Sequence, residues 1–164
     1  MRIVLLILGM LMFNATLFGQ TTKVYLFRHA EKETQNPKDR NPNLNMDGHK
    51  RAARLDKMFK NKSVDAVFST SYKRTEQTIK PLVETHQLSI QKYDAKNLKA
   101  LASKITTQYQ GKNVIVVGHS NTLFPLAKAL GVENSDSEIP ETDYSTYIVV
   151  KLKRNKVSLS TKQY

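Results

Sequence analysis

Val24-Tyr25-Leu26-Phe27-Arg28-His29-Ala30-Glu31 is an apolar run with strand character that stops at an arginine, a histidine and a carboxylate. Open α/β sheets bind ligands in the crevice beyond the carboxyl ends of their strands, so Arg28 and His29 are expected to face a binding cleft. Arg28 offers a planar fork of donors that suits phosphate oxygens, and a neutral imidazole on His29 is able to attack phosphorus and carry the phosphoryl group. In the alternative interpretation His29 merely ends a strand, and the rest of the chain has to decide between the two.

The composition indicates one folded domain and excludes cysteine chemistry. The chain has 164 residues with an apolar fraction of 40%, which is enough for a core that folds without staples. It contains no cysteine, so disulfides, thiolate metal sites and cysteine nucleophiles are excluded. The formal net charge of +12 predicts attraction to polyanions such as phosphorylated metabolites, nucleic acid or an acidic surface. Because the lysines are scattered and form no basic stripe, a solvated basic surface is favoured over a nucleic-acid footprint.

The first 20 residues have the pattern of a secretory signal peptide. A charged start is followed by an almost wholly apolar run over residues 3–13 and by a small, polar region over residues 14–20. The apolar run is too short for a comfortable membrane span. We expect cleavage near residue 19 or 20 and export of a mature domain, residues 21–164, to the periplasm or exterior of a bacterium, with no membrane anchor left. The alternative is that the segment stays uncleaved as an anchor.

The remaining pattern alternates short apolar runs with amphipathic segments. It predicts strands over residues 24–27, 64–68, 88–93 and 113–117, helices that end near residues 60, 84, 109 and 130, and an edge hairpin of residues 144–152 and 157–159. Pro81 is expected to kink or end the second helix, and residues 32–43 are expected to form a polar loop over the Arg28-His29 site. This order predicts a single three-layer α/β domain, with a mostly parallel central sheet, helices on both faces and an antiparallel edge hairpin.

Three of the predicted strands lead into groups that bind anions. The first ends in Arg28 and His29, and the second leads through Ser69 to Arg74, one turn into its helix. The fourth ends in His119, directly before a helix start whose free amide groups attract anions. Because parallel strands place their carboxyl ends on one side of the sheet, these side chains are expected to converge on one pocket.

Four motifs then follow one another in a fixed order: Arg28-His29-Ala30-Glu31, Leu44-Asn45-x-x-Gly48-x-x-Arg51-Ala52, Ser69-x-x-x-x-Arg74-Thr75-x-Gln77-Thr78 and Gly118-His119-Ser120. Over roughly residues 23–130 this order resembles the signature of the histidine phosphatase superfamily, also called the phosphoglycerate mutase-like family. The resemblance implies that His29 forms a phosphohistidine and that Arg28 and Arg74 clamp the phosphate. It also implies that His119 completes the pocket and stabilises the transferring group. Ser69 and Asn121 either donate to the substrate or cap their helices.

The chain departs from this family pattern in two places. Family members of the mutase type commonly carry an insert with a glutamate acid and a lid, and residues 78–113 leave no room for one. The acid that protonates the leaving group is therefore open, with Asp94 as first choice and Glu31 and Asp143 as rivals. The acid-phosphatase and phytase branch typically has an aspartate where this chain has Ser120. Without a lid the pocket should be shallow, which suits a bulky or polymeric phosphoester or a phosphoprotein and argues against mutase activity.

Taken together, these features predict a metal-independent phosphomonoester hydrolase that acts through a phosphohistidine on His29, with no cofactor. The four histidines have no paired spacing, and the sequence has no carboxylate cluster that resembles a metallophosphatase site. The rate is expected to fall on the acid side as His29 protonates. Two alternatives share the fold, namely a phosphate-binding module without turnover and a phosphohistidine protein phosphatase. A third is a basic surface protein that binds nucleic acid.

Overall fold

The structure is a computed structural model that describes residues 21–133, 135, 137–154 and 156–164. The predicted signal segment, residues 1–20, lies outside the described residues. Within the described ranges no helix combines the length and the apolar character that crossing a membrane would require.

Six strands in the described part of the chain form one mixed sheet: β1 (Thr22–Arg28), β2 (Ala66–Ser69), β3 (Ile90–Lys92), β4 (Asn113–Gly118), β5 (Thr146–Lys153) and β6 (Lys156–Gln163). Their order across the sheet is β3-β2-β4-β1-β5-β6. The pairs β2–β3, β2–β4 and β1–β4 are parallel, whereas β5 runs antiparallel to both β1 and β6. The predicted parallel sheet with an antiparallel edge hairpin is therefore confirmed.

Four helices in the same residues cover the sheet: α1 (Met46–Phe59), α2 (Lys73–Thr85), α3 (Leu98–Gln108) and α4 (Ser120–Ala129). Successive side chains of a strand point to opposite faces, so Phe27 packs with α1 and α2 while Leu26 packs with α3 and α4. Both side chains are fully buried. The three-layer architecture predicted from the alternating pattern is confirmed.

The structure differs from the sequence prediction most clearly at Pro81 and at the last strand. The helix α2 continues through Pro81 to Thr85 instead of kinking or ending there. Ile79 and Leu82 on either side of the proline are fully buried against the sheet, and this packing outweighs the one hydrogen bond that proline cannot donate. The last strand, β6, is longer than predicted, because its exposed polar residues carry little apolar alternation although they pair with β5 along its full length.

The motif around Gly48 fixes the loop that follows β1. The Asn45 side chain accepts a hydrogen bond from the Gly48 backbone N–H at 2.9 Å and so caps the start of α1. The Asn45 backbone N–H donates to the carbonyl oxygen of Glu31 at 3.0 Å. A Cβ atom at residue 48 would collide with that same carbonyl, so only glycine lets α1 approach this closely. The chain beyond His29 is thereby held against the helix.

The motif in the first half of α2 anchors the same region from the other side. The Thr78 hydroxyl accepts a hydrogen bond from the Ala30 backbone N–H at 2.9 Å. The Gln77 side chain accepts from the Leu44 backbone N–H at 2.7 Å. These contacts hold the backbone next to His29 in place, which is what a reactive side chain at a strand end requires.

Candidate active site

The carboxyl ends of β1, β2 and β4 meet at a cavity of about 470 Å³, which we call the strand-end cavity. The structure brings His29, Arg74 and His119 together in its lining, although they are far apart in the sequence. Lys32 and Asn121 line it as well. Three lysine or arginine cations, Lys32, Arg74 and Lys96, and two imidazoles around one cavity create a positive field that attracts an anion.

His29 lies at the bottom of this arrangement and is only 5% exposed. Its Nδ1 atom is 2.8 Å from the Ala30 carbonyl oxygen, so in the neutral ring Nδ1 carries the proton and donates it there. Burial, opposed by that hydrogen bond and assisted by the nearby charges of Arg74 and Arg28, lowers the pKa of His29 to about 3. The ring is therefore neutral at ordinary pH, with the lone pair of Nε2 available as a nucleophile.

The lowered pKa of His29 shifts the acid-side fall in rate, which the sequence predicted, to lower pH. With a pKa of about 3 for His29, the loss of activity through its protonation falls near pH 3 in the free protein, well below the range of an ordinary histidine.

His119 faces His29 across the cavity, with 5.4 Å between the ring centroids. Its Nε2 atom lies 3.1 Å from the Thr70 hydroxyl, and the edge-on ring of Tyr72 lies 5.2 Å away. Burial, followed by the positive charge of Arg74, lowers the pKa of His119 to about 4. Sequence reasoning missed Thr70, whose only signal was its place in the small polar run after β2.

Arg74 projects from the first turn of α2 and is half-buried. Its guanidinium carbon lies 4.4 Å from the centre of the Tyr72 ring, a cation–π distance that orients the side chain. Burial lowers the pKa of Arg74, and the nearby Arg28 acts in the same direction. Within the described residues, the Nε atoms of both Arg74 and Arg28 are buried without a hydrogen-bond partner. Unpaired buried donors are costly, and an anion oxygen is the partner that such a pair of arginines lacks.

Arg28 is held by the segment that precedes β5. Its side chain is 2% exposed, and its Nη1 group donates to three backbone carbonyls at 2.6–3.2 Å, those of Pro140, Glu141 and Asp143. Its Nη2 group lies 2.6 Å from the Glu141 carboxylate. The Tyr144 ring lies 4.1 Å from the guanidinium carbon. Arg28 is thus paired with its own chain at the edge of the cavity and does not stand free in it.

Glu141 is the site residue that the sequence did not single out. Its side chain is 77% exposed, yet it reaches into the strand-end cavity, where the Ser120 hydroxyl donates to its second carboxylate oxygen. Among the described residues it is the carboxylate that lines this cavity. The sequence showed only an acidic, irregular segment, in which nothing distinguished Glu141 from Glu133 or Glu138.

The first-choice acid, Asp94, is not in the strand-end cavity. It is exposed, it lines a neighbouring depression, and its carboxylate accepts a hydrogen bond from the Lys96 backbone N–H at 2.9 Å. The third strand, β3, lies at the edge of the sheet, and two strands, β2 and β4, separate it from β1. Its end therefore lies to one side of His29. The prediction of Asp94 as the acid is not supported by its position.

The two rival acids are also occupied elsewhere. Glu31 forms a bidentate ion pair with Arg51 at 2.7–3.0 Å, and although burial opposes it, this pairing lowers the pKa of Glu31. Asp143 accepts hydrogen bonds from Ser145 and Thr146 in the turn before β5. Burial acts to raise the pKa of Asp143, but these hydrogen bonds outweigh it and lower the pKa to about 2. Neither carboxylate lines the cavity, and both are held in the ionised form.

Ser69 and Asn121, which were predicted either to bind phosphate or to cap their helices, differ in their position relative to the cavity. Ser69 is fully buried and donates its hydroxyl to the Thr70 carbonyl oxygen at 3.0 Å, so it does not reach the cavity. Asn121 is exposed on the first turn of α4 and lines the cavity. In the part of the chain that the structure describes, no group of three or more His, Asp or Glu side chains is placed to hold a metal ion.

Known proteins match both part of the sequence and the fold. The model of the histidine phosphatase superfamily (branch 1) matches residues 24–97. An alpha-ribazole phosphatase from Shigella flexneri has a TM-score of 0.69 at 12% identity, over 87% of this chain and 96% of that one. The protein histidine phosphatase SixA, complexed with tungstate, has a TM-score of 0.68 at 17% identity, over 86% and 96% of the two chains. A mycobacterial glucosyl-3-phosphoglycerate phosphatase has a TM-score of 0.67 at 10% identity, over 88% and 99%. No curated protein sequence matches the chain significantly.

These matches confirm the resemblance that the motifs indicated. The matched segment contains the first three motifs, around His29, Gly48 and Arg74, and over this segment the chain is similar to the histidine phosphatase superfamily. The solved structures, at their low identities, establish the fold. That fold extends over nearly all of the described chain and includes the fourth motif, at His119.

Proposed function

We propose that the protein is a phosphomonoester hydrolase that acts through a phosphohistidine on His29 and needs no metal ion. The observation that carries this proposal is the state of His29, a buried, neutral imidazole whose Nδ1 is engaged and whose Nε2 is left for attack. The match of residues 24–97 to the model of the histidine phosphatase superfamily supports the same activity.

The reaction is proposed to run in two steps. The lone pair of His29 Nε2 attacks phosphorus, the bond from phosphorus to the leaving oxygen breaks, and that oxygen takes up a proton. Water then attacks the phosphohistidine, the P–N bond breaks, and inorganic phosphate leaves with His29 neutral again. Arg74 and His119 stabilise the charge on the phosphoryl oxygens in both steps, since they line the same cavity as His29.

Glu141 is our candidate for the proton donor. As the structure stands, its carboxylate occupies the guanidinium group of Arg28. A phosphate that takes this place would displace an exposed side chain, which only has to rotate. The displaced carboxyl group would then lie beside the bound phosphate, where in its protonated form it is able to give a proton to the leaving oxygen.

The experiment measures release of inorganic phosphate from an aryl phosphate, with and without chelator, for the wild-type protein, His29→Ala and the matched control His49→Ala. His49 is an exposed histidine on α1. We expect His29→Ala to lose activity by at least about 1000-fold, and the control and chelated proteins to keep it. Acid-labile, alkali-stable phosphate on the wild-type protein would identify the intermediate. Activity that survives His29→Ala, or disappears with chelator, would refute the mechanism.

The phosphohistidine protein phosphatase is a second candidate within this mechanism. The fold of the protein histidine phosphatase SixA and the short connection between α2 and β4, which contains no lid insert, favour it. Its leaving group is an imidazole nitrogen, so a phosphohistidine-containing protein belongs in the same assay. If vanadate binds while neither substrate is hydrolysed, the protein is a phosphate-binding module instead.

We also propose that the domain acts outside the cytoplasm, on the strength of the predicted signal segment alone. To test this, the protein is recovered from the exported fraction of a bacterial host and its mass is measured. We expect the mass of a chain cleaved near residue 19 or 20.

A further inference from the structure

A groove beside the strand-end cavity indicates what kind of leaving group the site accepts. The groove lies between the start of α3 and the exposed side of α4, has a volume of about 770 Å³, and is called here the α3–α4 groove. It is continuous with the strand-end cavity, because four residues line both: Ala95, Lys96, Ser120 and Asn121. A phosphomonoester bound with its phosphoryl group at His29 is therefore able to extend its leaving group into the groove.

The floor of the α3–α4 groove is apolar. Phe124 and Pro125 of α4 form it, together with Leu98 and Ala129. Phe124 is only 7% exposed, and Leu98 and Ala129 pack against the same hydrophobic core. The floor is therefore fixed by the fold before a ligand arrives, and its size is within the range of small-molecule sites, about 300–1,000 Å³. It offers a place for a hydrocarbon or aromatic body.

The rim of the groove is cationic. Lys96 and Lys99 are exposed at the start of α3, and Lys128 of α4 lines the same groove. Glu138 is the one carboxylate in the described lining, and Asp94 lies in the neighbouring depression. Positive charge therefore exceeds negative charge around an apolar floor. In addition, two lysines at the amino end of a helix oppose the helix dipole, so a bound anion there would be favourable.

We propose that the α3–α4 groove binds a leaving group that has an apolar body and carries a second anionic group. The inference rests on the proposed function and narrows it to phosphomonoesters of anionic, amphiphilic alcohols or phenols. A groove of this volume has room for a small leaving group, whereas the sequence favoured a bulky or polymeric phosphoester or a phosphoprotein. The products are inorganic phosphate and the free anionic alcohol or phenol.

The test compares three substrates whose leaving groups are chemically matched: phenyl phosphate, para-propylphenyl phosphate and para-(carboxyethyl)phenyl phosphate. For the wild-type protein we expect kcat/KM to rise from the first to the second and by about a further fivefold to the third, as one exposed charge pair allows. In Lys96→Gln/Lys99→Gln, the ratio of kcat/KM for the carboxylate over the propyl compound should fall to about one. The control Lys57→Gln/Lys60→Gln removes the same charge from the end of α1, on the opposite face of the sheet, and should keep the ratio.

Binding of the corresponding non-hydrolysable phosphonates to the His29→Ala protein gives the same ranking without turnover. This arm separates the two proposals. If the binding ranking is preserved but the wild-type protein hydrolyses none of the three esters, only the phosphatase mechanism is contradicted. Equal kcat/KM and equal binding for the carboxylate and propyl compounds would overturn the groove proposal. So would a control double variant that lowers the ratio as much as Lys96→Gln/Lys99→Gln does, because the effect would then belong to net charge.

Discussion

In the proposed mechanism, Glu141 and a bound phosphate compete for the same guanidinium group, that of Arg28. In the structure the carboxylate holds this position, with Arg28 Nη2 at 2.6 Å and the Ser120 hydroxyl as a second donor. A residue that leaves this place when substrate binds is available for proton transfer, whereas Asp94, Glu31 and Asp143 do not line the strand-end cavity. At the scale of single residues, the identity of the acid is thus the most informative thing to test.

Glu141→Gln should therefore slow alkyl phosphates far more than an activated aryl phosphate. An alkoxide needs a proton as it leaves, so we expect a loss of about 100-fold or more with an alkyl phosphate. Nitrophenolate leaves without help, so its phosphate should lose at most about threefold. Glu133→Gln, in the same acidic segment but outside the strand-end cavity, is the control. Equal losses for both leaving groups in Glu141→Gln would show that this residue is not the acid.

At the scale of the elements, the ion pair between Glu31 and Arg51 joins the end of β1 to α1. Both side chains are largely buried, at 20% and 17% exposure, and the pairing is bidentate. Arg51→Met leaves the Glu31 carboxylate partly buried without its partner, so we expect a loss of about 1–3 kcal/mol in the free energy of unfolding. Urea denaturation measures it, and Arg51→Met/Glu31→Gln should recover part of the loss.

The exposed pair of Lys50 and Asp47 on the same helix is the matched control. Lys50→Met should change the free energy of unfolding by less than about 0.5 kcal/mol. If Arg51→Met were equally harmless, the pair would be a surface contact and Glu31 would return as a candidate acid. Glu31→Gln should also keep the wild-type dependence on leaving group, in contrast to Glu141→Gln.

The elements that the sequence predicted well are those with a strong apolar period. Strands β1 and β4 and the helix α1 have this pattern, and their ends place His29, His119 and the Gly48 motif correctly along the chain. What could not be predicted depends on contacts across the sequence. Nothing in the local pattern shows that a segment 113 residues away would wrap Arg28, or that the edge position of β3 would remove Asp94 from the site. The position of the Glu141 carboxylate depends on long-range hydrogen bonds, and no periodic pattern in the sequence indicates such bonds.

At the scale of the whole molecule, the two histidines of the site link catalysis to stability. The pKa of His29 is lowered to about 3 and that of His119 to about 4, both mainly by burial, from an ordinary value of 6.5. Below pH 6.5 the unfolded chain takes up protons on these rings while the folded protein does not. The contribution of these two histidines to the free energy of unfolding is therefore fully present above pH 6.5. It decreases as the pH falls from about 6.5 towards their pKa values in the folded protein.

Replacing His29 should make this pH dependence shallower. Between pH 6 and pH 4.5, His29→Gln is expected to lose less stability than the wild type, by on the order of 1 kcal/mol per pH unit. The lowered pKa of Glu31 and that of Asp143, about 2, affect stability mainly below this window, because their ordinary values are 4.5 and 3.8, and their contribution is the same in the variant and the wild type. Urea denaturation midpoints at several pH values measure the slope, and His49→Gln, at an exposed position, should keep it. Parallel slopes for His29→Gln and the wild type would mean that His29 already protonates in the folded protein near pH 6. The hypothesis that His29 is a neutral nucleophile would then be wrong.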